Sequence, residues 1–383
     1  MAQAVGPEAV ELVKSHALSC LGATLARLRG YLRIPAISCD AAHHADVRRL
    51  AGCVQQDLTE LGFHSRVLEL PGALPLVMAE RHDAGPDAPT LLVYGHLDLQ
   101  PVRGEKWSHD PHDAVVRNGR LYARGAADDM GGWVSHFAAI EAWTSVLTRL
   151  PMNVKFVIES EEEIGSPNLE RFMDAHPECF SADVMILTDC ENPAVDVPGL
   201  TVSLRGVFQL ELRCEALQAD IHSGVWGNVA PDAGNALILL LARLLDEDGR
   251  LSVGRCELPA QVSQELAQVP LDDRSLRVGS RLLDGIEPLP MRGRSPAEWM
   301  WRQPAITVLS TTFPRPEEHK NAVRAKASAA LSIRIAPGQK REELVRAIAE
   351  RVCSHAPAGV RVTLTETPGA AESFLYNPSG PAF

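Results

Sequence analysis

The stretch Leu91-Leu92-Val93-Tyr94-Gly95-His96-Leu97-Asp98 decides the fold of this chain. Its short apolar run, bounded by Pro89 and Gly95, is typical of a buried strand in a parallel sheet. In open α/β sheets, ligands bind beyond the carboxyl ends of such strands, where His96 and Asp98 fall. Because residues two apart in extended backbone point the same way, Asp98 can reach the imidazole, as the partner of a metal-binding histidine does. Alone, the motif is equally typical of a structural histidine.

Two later strand-like runs also lead into carboxylates. One continues into Glu161-Glu162-Glu163 and the other ends at Asp189, while the glycine-flanked pair Asp128-Asp129 precedes a predicted helix. Each feature has an alternative interpretation, since the glutamates could form a solvated loop and Asp128 could cap the helix. Taken together, they predict one imidazole and several carboxylates at one edge of one sheet.

This set of donors suits divalent metal ions. Zinc accepts nitrogen and oxygen ligands and keeps one position open for water in catalytic sites. Two metals about 3.5–4 Å apart need a bridging carboxylate, and water bound to them has a pKa lowered toward about 7. Magnesium fits less well, because it usually relies on substrate phosphates and retained waters. The pattern therefore predicts a site for more than one divalent ion, with zinc favoured over magnesium.

The motifs resemble the di-zinc aminoacylase and carboxypeptidase family, and within it the carnosinase-like cytosolic dipeptidases. The resemblance extends from about residue 10 to the end of the chain, through Gly95–Asp98, Gly119–Asp129, Glu162–Ser166, Asp189, Asp220–Gly224 and Ser332–Pro337. It implies an α/β fold with a mixed, mainly parallel sheet flanked by helices, as in zinc-peptidase-like catalytic domains. It also implies an inserted α+β domain that serves as a lid and a dimerisation surface.

The resemblance assigns the metal ligands. His96 and Asp189 would bind one zinc, Glu163 would bind the other, and Asp128 would bridge them. The peptide bond between Asp128 and Asp129 is typically cis in this family. Two zinc ions per subunit are expected in the complete enzyme, with manganese as the alternative metal.

Four further positions match catalytic or substrate-binding residues of the family. Asp98 would orient the metal-binding histidine, and Glu162 would act as the general base. His222 would support the oxyanion and contact the substrate, and Arg334 would contact the substrate carboxylate. The alternative for His222 is a loop histidine that caps a helix.

The chain departs from the family pattern at two places. Met130 replaces the lysine that usually follows the acidic pair. The family's second zinc takes one more histidine from the last helical part of the catalytic domain, and this sequence ends at Phe383, where that part would begin. The C-terminus is therefore expected to be truncated relative to the family, with the second zinc one ligand short.

A length of 383 residues favours two domains. The resemblance places the catalytic domain at residues 1–200 and 367–383 and the lid at residues 201–366, where the predicted elements follow the order β-α-β-β-α-β. Helices are predicted over 8–29, 43–62, 130–148, 233–245 and 339–354, strands over 64–69, 75–80, 90–95, 202–214, 305–311, 322–335 and 360–365, and an irregular insertion over 286–304.

Charge and composition exclude several function classes. The net charge of −12 argues against nucleic acid and against anionic membranes as partners. Apolar runs are too short for a membrane span, and the N-terminus lacks the layout of a signal peptide. Eight cysteines without paired spacing indicate reduced thiols, so a cytoplasmic location is expected.

The predicted function is hydrolysis of the amide bond of dipeptides or small peptides with a free C-terminal carboxylate. The resemblance implies attack by a hydroxide that bridges the two zinc ions, in a homodimer formed through the lid. The long lid favours the carnosinase-like branch, with an N-acyl amino acid deacylase as the alternative enzyme. A chain that lacks one ligand could also be a non-catalytic metal-binding or assembly protein.

Overall fold

The run that contains His96 forms the strand Thr90–His96, as predicted. The computed structural model describes residues 6–190, 192 and 196–376, and the chain divides into two units, Met1–Glu191 and Asn192–Phe383. The strands of the first unit are β1 (His64–Leu68), β2 (Leu76–Arg81), β3 (Thr90–His96), β4 (Val115–Arg117), β5 (Arg120–Tyr122), β6 (Asn153–Glu159) and β7 (Val184–Leu187). Its helices are α1 (Pro7–Ser19), α2 (Leu21–Leu32), α3 (His44–Glu60), α4 (Met130–Leu147), α5 (Leu169–Ala175) and α6 (Pro177–Phe180).

Five of these strands form the central sheet, in the order β1-β2-β6-β3-β7. Strand β3 runs parallel to both β6 and β7, whereas β1 and β2 add an antiparallel edge. Every residue of β6 is buried, as expected for a central strand covered on both faces. The predicted mixed sheet is confirmed, and its parallel part brings the ends of three strands to one edge.

Both faces of this sheet carry an apolar layer, because successive side chains of a strand point to opposite sides. On the face covered by α4, Trp133, Phe137 and Phe156 are fully buried, and the rings of Phe137 and Phe156 lie 5.1 Å apart edge to face. Met78 and Val157 belong to the layer on the opposite face. Burial of each such side chain contributes about 1.5–3 kcal/mol, which fixes the strand ends in place.

The second unit is built on a four-stranded antiparallel sheet in the order β11-β13-β9-β14. Its strands are β8 (Ser203–Leu204), β9 (Gly206–Glu215), β10 (Ile221–His222), β11 (Ala305–Thr311), β12 (Ala322–Val323), β13 (Lys326–Ile335), β14 (Arg361–Ala371) and β15 (Phe374–Leu375). Its helices are α7 (Ser223–Trp226), α8 (Ala233–Leu244), α9 (Ala260–Ala267), α10 (Asp273–Ser280), α11 (Pro296–Arg302) and α12 (Arg341–Cys353).

Strands β9 and β13 alternate buried and less buried residues, so one face of this sheet forms a core and the other stays open. Phe208 and Leu331 from the sheet pack in that core with Leu240 of α8 and Ile348 of α12. The succession β9, α8, β11, β13, α12, β14 matches the predicted β-α-β-β-α-β order.

Several predicted elements differ from the observed ones. The helix predicted over 8–29 is broken at Cys20 into α1 and α2, and the strand predicted over 322–335 is split into β12 and β13. The insertion predicted as irregular contains α11. No helix within the described ranges has the length and apolar character needed to cross a bilayer.

The end of the described chain pairs with strands of the second unit. The resemblance returns residues 367–383 to the catalytic domain, whereas β14 continues along β9 to Ala371. Residues 374–375 then pair with β8, so residues 367–376 belong to the second unit. Residues 377–383 lie outside the described residues, and their assignment stays a prediction.

Candidate metal centre

His96 ends β3 with its side chain fully buried. In the parallel register it lies opposite Glu159 of β6, and its carbonyl accepts a hydrogen bond from Trp133 Nε1 at 2.9 Å. The ring Nε2 lies 2.9 Å from Asp128 Oδ1 and 3.9 Å from Asp189 Oδ2. The strand end therefore aims one imidazole nitrogen at two carboxylates, as the sequence predicts.

Asp98 connects this histidine to the glutamate turn. Its buried carboxylate accepts the backbone N–H of Glu162 at 3.2 Å and that of Glu163 at 3.1 Å. Nδ1 of His96 lies 3.1 Å from the Asp98 carbonyl oxygen and 3.5 Å from Asp98 Oδ1. Burial by itself lowers the pKa of His96, but hydrogen bonding and attraction from Asp98, together with other acids nearby, outweigh it and raise the pKa to about 10. Asp98 thus contacts both His96 and the backbone of the following glutamates, and holds them in a fixed arrangement.

Three side chains, those of His96, Asp128 and Asp189, have potential ligand atoms that all lie within 4.8 Å of one another. No other such group of His, Cys, Asp or Glu occurs among the described residues. The histidine is buried, whereas the Asp128 and Asp189 side chains are 53% and 46% exposed, so the group is open to solvent on its carboxylate side. Burial, with the negative charge of Asp128, raises the pKa of Asp189. The peptide bond between Asp128 and Asp129 is cis, as the resemblance implies.

The two predicted glutamates lie in a short 3₁₀ turn, Glu162–Ile164, directly after β6. Glu162 Oε2 is 4.0 Å from His96 Nε2, whereas Glu163 Oε2 accepts a 2.7 Å hydrogen bond from Gln100 Nε2. Burial raises the pKa of both carboxyl groups, and so do neighbouring carboxylates, among them Glu163 beside Glu162 and Asp128 beside Glu163. Both side chains remain partly exposed. Their separate roles as base and ligand stay predictions.

Two of the alternative interpretations do not fit the observed contacts. Glu161 is not solvated, because it is buried and accepts hydrogen bonds from the Leu74 N–H at 2.8 Å and from Asn168. Asp128 does not cap α4, because the residue at the cap is Asp129 and its side chain makes no capping bond. Glu161 is therefore part of the packed sheet edge, whereas Glu162 and Glu163 remain partly exposed.

Asp129 is a buried residue of the site, and no role is predicted for it from the sequence. Its Oδ2 accepts hydrogen bonds from Thr188 Oγ1 at 2.6 Å and from the backbone N–H of His96 at 3.3 Å. Burial, together with the charge of Asp189, raises the pKa of Asp129 to about 7. A Cβ atom on Gly95 would lie 2.6 Å from Asp129 Oδ2, so glycine is required where this carboxyl packs. The glycines that surround the acidic pair are the sequence signal that could have found it.

Glu159 is a second buried acid without a role in the sequence analysis. It accepts hydrogen bonds from Tyr94 Oη and, at 2.8 Å, from Ser166 Oγ, and burial raises its pKa. Because Tyr94 precedes His96 on β3, Glu159 ties β3 and β6 together just before the site.

The remaining predicted residues lie elsewhere. His222 and Arg334 belong to the second unit, where His222 ends β10 and Arg334 lies on β13 opposite Val207. Nδ1 of His222 accepts the Gly224 N–H at 3.1 Å, which is the capping contact considered as its alternative role. Met130, in the position of the family's lysine, is fully buried in the first unit. The roles of His222 and Arg334 stay predictions.

The donor arrangement fits a metal ion. Nδ1 of His96 faces the carbonyl oxygen of Asp98, which can only accept, so Nδ1 carries a proton. In the metal-free protein the raised pKa of His96 keeps a proton on Nε2 as well, and this N–H donates to Asp128 Oδ1 at 2.9 Å. A metal ion would displace that proton, and the Nε2 lone pair with the carboxylates of Asp128 and Asp189 would then be its ligands.

Comparison with known proteins agrees with this site. The profile of Peptidase family M20/M25/M40 matches residues 92–377. A cysteinylglycine-S-conjugate dipeptidase from Corynebacterium striatum is 34% identical over 342 residues, which are 88% of this chain and 74% of that protein. A Beta-Ala-His dipeptidase from Homo sapiens is 29% identical over 297 residues, 73% of this chain and 56% of that protein.

Solved structures show a similar fold. The dipeptidase Dug1p from Saccharomyces cerevisiae superimposes with a TM-score of 0.69 at 20% identity, over 97% of this chain and 81% of that chain. Human carnosine dipeptidase 1 gives the same TM-score at 23% identity, over 97% and 82%. At these identities the likeness concerns the fold alone.

Proposed function

The chain belongs to peptidase family M20/M25/M40, and from that premise we propose that it hydrolyses the amide bond of dipeptides and other small peptides with a free C-terminal carboxylate. It is a metallopeptidase, and the relatives named above are dipeptidases. The observation that carries the proposal is the convergence of His96 Nε2 with the carboxylates of Asp128 and Asp189, whose potential ligand atoms lie within 4.8 Å of one another.

We propose zinc as the metal, with two ions in the complete site and manganese as the alternative. His96, Asp128 and Asp189 would hold one ion, and Asp128 and Glu163 would hold the other. When bound, such ions polarise a carbonyl oxygen and lower the pKa of water to about 7. The mixture of one imidazole with carboxylates supports zinc over magnesium.

Glu162 is proposed to move the proton of the reaction. Its carboxylate lies 4.0 Å from His96 Nε2, is partly exposed, and is held in direction by the hydrogen bond from its own N–H to Asp98. It would accept a proton from the attacking water and return it to the leaving amine, a role that contributes about 10²–10⁴-fold in rate.

Arg334 is proposed to bind the substrate carboxylate. Its side chain is exposed on β13, and within the described part of the chain it has no acidic partner. A guanidinium matches a carboxylate with two parallel hydrogen bonds, which supports peptides with a free C-terminus as substrates. His222 is proposed to donate a hydrogen bond to the oxyanion.

The test is a substrate panel on protein loaded with zinc or with manganese. Cys-Gly and β-Ala-His are compared with their C-terminally amidated forms and with N-acetyl amino acids. We expect cleavage of the free dipeptides, strong loss on amidation, and little turnover of the N-acetyl compounds. Preference for the N-acetyl compounds would make the protein a deacylase, and metal binding without any turnover would make it a binding protein; either result refutes the proposal.

We also propose a homodimer formed through the second unit and a cytoplasmic location. The support for the location is that all eight cysteines are free thiols. Analytical ultracentrifugation tests the dimer, and a purely monomeric species over the working concentrations would contradict it. Fractionation of the source cells tests the location.

A further inference from the structure

The imidazole of His222 has a defined hydrogen-bonding state. Its Nδ1 accepts the backbone N–H of Gly224 at 3.1 Å. Because a backbone amide can only donate, Nδ1 must carry the lone pair, so the proton of the neutral ring is on Nε2. Among residues 6–190, 192 and 196–376, nothing accepts a hydrogen bond from that Nε2, and the side chain is exposed. The ring therefore offers a free N–H donor to a ligand.

Gly224 makes this contact sterically feasible. A Cβ atom at Gly224 would lie 2.9 Å from Cε1 of His222 and 3.2 Å from its Nδ1. Real Cβ atoms essentially never approach as closely as the first distance, so any other residue would push the ring away from the amide. A glycine two residues after the histidine is thus needed for the observed ring orientation.

Asp220 fixes the backbone that carries His222. Strand β10 is only two residues long and pairs with β12, His222 lying opposite Ala322, and such a short ladder is weak by itself. Asp220 reinforces it, since Oδ1 accepts the Ala325 N–H at 2.8 Å and Oδ2 accepts Arg324 Nη1 at 2.8 Å. The Ala325 N–H, and then the Arg324 guanidinium, hold the pKa of Asp220 below its usual range, so the carboxylate stays charged.

We propose that Asp220 and Gly224 are positioning residues that hold His222 as a fixed Nε2–H donor for the oxyanion of the substrate. Asp220 acts on the backbone on one side of the histidine, and Gly224 acts on the ring from the other. The role of His222 as an oxyanion donor rests on the proposed function. The Nε2–H tautomer of its ring does not, because it is a property of the protein without substrate.

The kinetic test compares Asp220→Ala, Asp220→Asn, Gly224→Ala and His222→Ala in the zinc-loaded enzyme. Removal of one oxyanion donor costs about 10²–10³-fold in kcat, so we expect Asp220→Ala and Gly224→Ala to lose about 10–10²-fold in kcat with little change in KM. Asp220→Asn keeps an acceptor for the Ala325 N–H and should recover most of the rate. Adding Asp220→Ala to His222→Ala should cost little more, because both act through one ring.

The matched control is Asp272→Ala, which removes another exposed aspartate of the same unit that accepts a backbone N–H, that of Ser275, at 2.8 Å. It should leave kcat unchanged. Wild-type kcat in both Asp220→Ala and Gly224→Ala would overturn the proposal, as would equal losses in the control. Circular dichroism checks folding, and Gly224→Ala decides the kinetics if Asp220→Ala does not fold.

The second readout is ¹⁵N NMR of histidine-labelled protein, which separates the two ring tautomers without any substrate. His222→Gln identifies the His222 signals among those of the 13 histidines. We expect the Nε2–H tautomer in the wild type and a mixture in Gly224→Ala. The Nδ1–H tautomer in the wild type would overturn the proposal even if peptides are cleaved, whereas absence of peptide cleavage with the expected tautomer would refute only the proposed function.

Discussion

Replacement of Asp98 by asparagine should weaken both sides of the candidate metal centre at once. The two oxygens of this fully buried carboxylate accept the N–H groups of Glu162 and Glu163 at 3.2 and 3.1 Å. One of them also lies 3.5 Å from Nδ1 of His96. Asparagine is nearly the same size, so the substitution changes the acceptor count and the charge with little change in packing.

The magnitude follows from these contacts. Asparagine has one acceptor oxygen, so one of the two backbone N–H groups is left opposite an amide N–H. A buried donor without a partner costs about 1–3 kcal/mol, and the other bond loses its charge assistance, worth about 1 kcal/mol. We therefore expect the free energy of unfolding of the metal-free protein to fall by about 2–4 kcal/mol. Loss of the group that orients a ligand histidine should also weaken zinc binding by about 10–100-fold.

Urea denaturation followed by circular dichroism measures the first effect, and competition with a chelator measures the second. The control is Asp110→Asn, since Asp110 also accepts a backbone N–H, that of His112 at 2.9 Å, but is exposed. It should change the free energy of unfolding by less than about 0.5 kcal/mol. Wild-type stability together with wild-type zinc affinity in Asp98→Asn would refute the reasoning.

Three further substitutions test other parts of the first unit. Glu162→Ala should keep zinc bound while turnover falls by about 10²–10⁴-fold, and loss of the metal would mean that Glu162 and Glu163 have exchanged roles. Gly95→Ala places a Cβ 2.6 Å from Asp129 Oδ2 and should destabilise the fold by about 1–3 kcal/mol in urea denaturation; an unchanged midpoint would contradict that packing. Phe156→Ala removes a fully buried ring and should cost about 3–5 kcal/mol, so a loss below about 1 kcal/mol would contradict its place in the core.

The location of the site could be predicted because it depends on strand order alone. Residues at the ends of β3, β6 and β7, or just after them, must meet at one edge once these strands are parallel neighbours. His96, Glu162 and Asp189 do so. The pattern is local: an apolar strand is followed by polar residues, with a glycine near its end. Such a pattern can be recognised directly in the sequence.

The supporting contacts could not be predicted, because they depend on three-dimensional approach. The bonds from the Glu162 and Glu163 N–H groups to Asp98 span more than sixty residues of chain. The glycines around the acidic pair mark it as a packed site, but nothing in the local pattern shows that Asp129 is its buried member and Asp128 its exposed one.

The length of β14 shows a different limit of sequence patterns. The sequence predicts a strand over 360–365, yet β14 continues through Pro368 and Gly369 to Ala371, with a register irregularity between Thr367 and Ala371. A proline is tolerated there because β14 is an edge strand and the irregularity removes the need for its missing N–H. Edge position is a property of the assembled sheet, which is why the predicted strand stops too early.

The three-residue group of His96, Asp128 and Asp189 has a consequence for the stability of the first unit. Its members come from three separate segments of the chain, so an ion held by all three works as a removable cross-link across the sheet edge. Such an ion binds the folded unit and not the open chain, and at 100 times its dissociation constant it adds about 2.7 kcal/mol to the free energy of unfolding. An ion bound there would couple the folding of this unit to metal supply, so that withdrawal of the ion would lower the amount of folded protein.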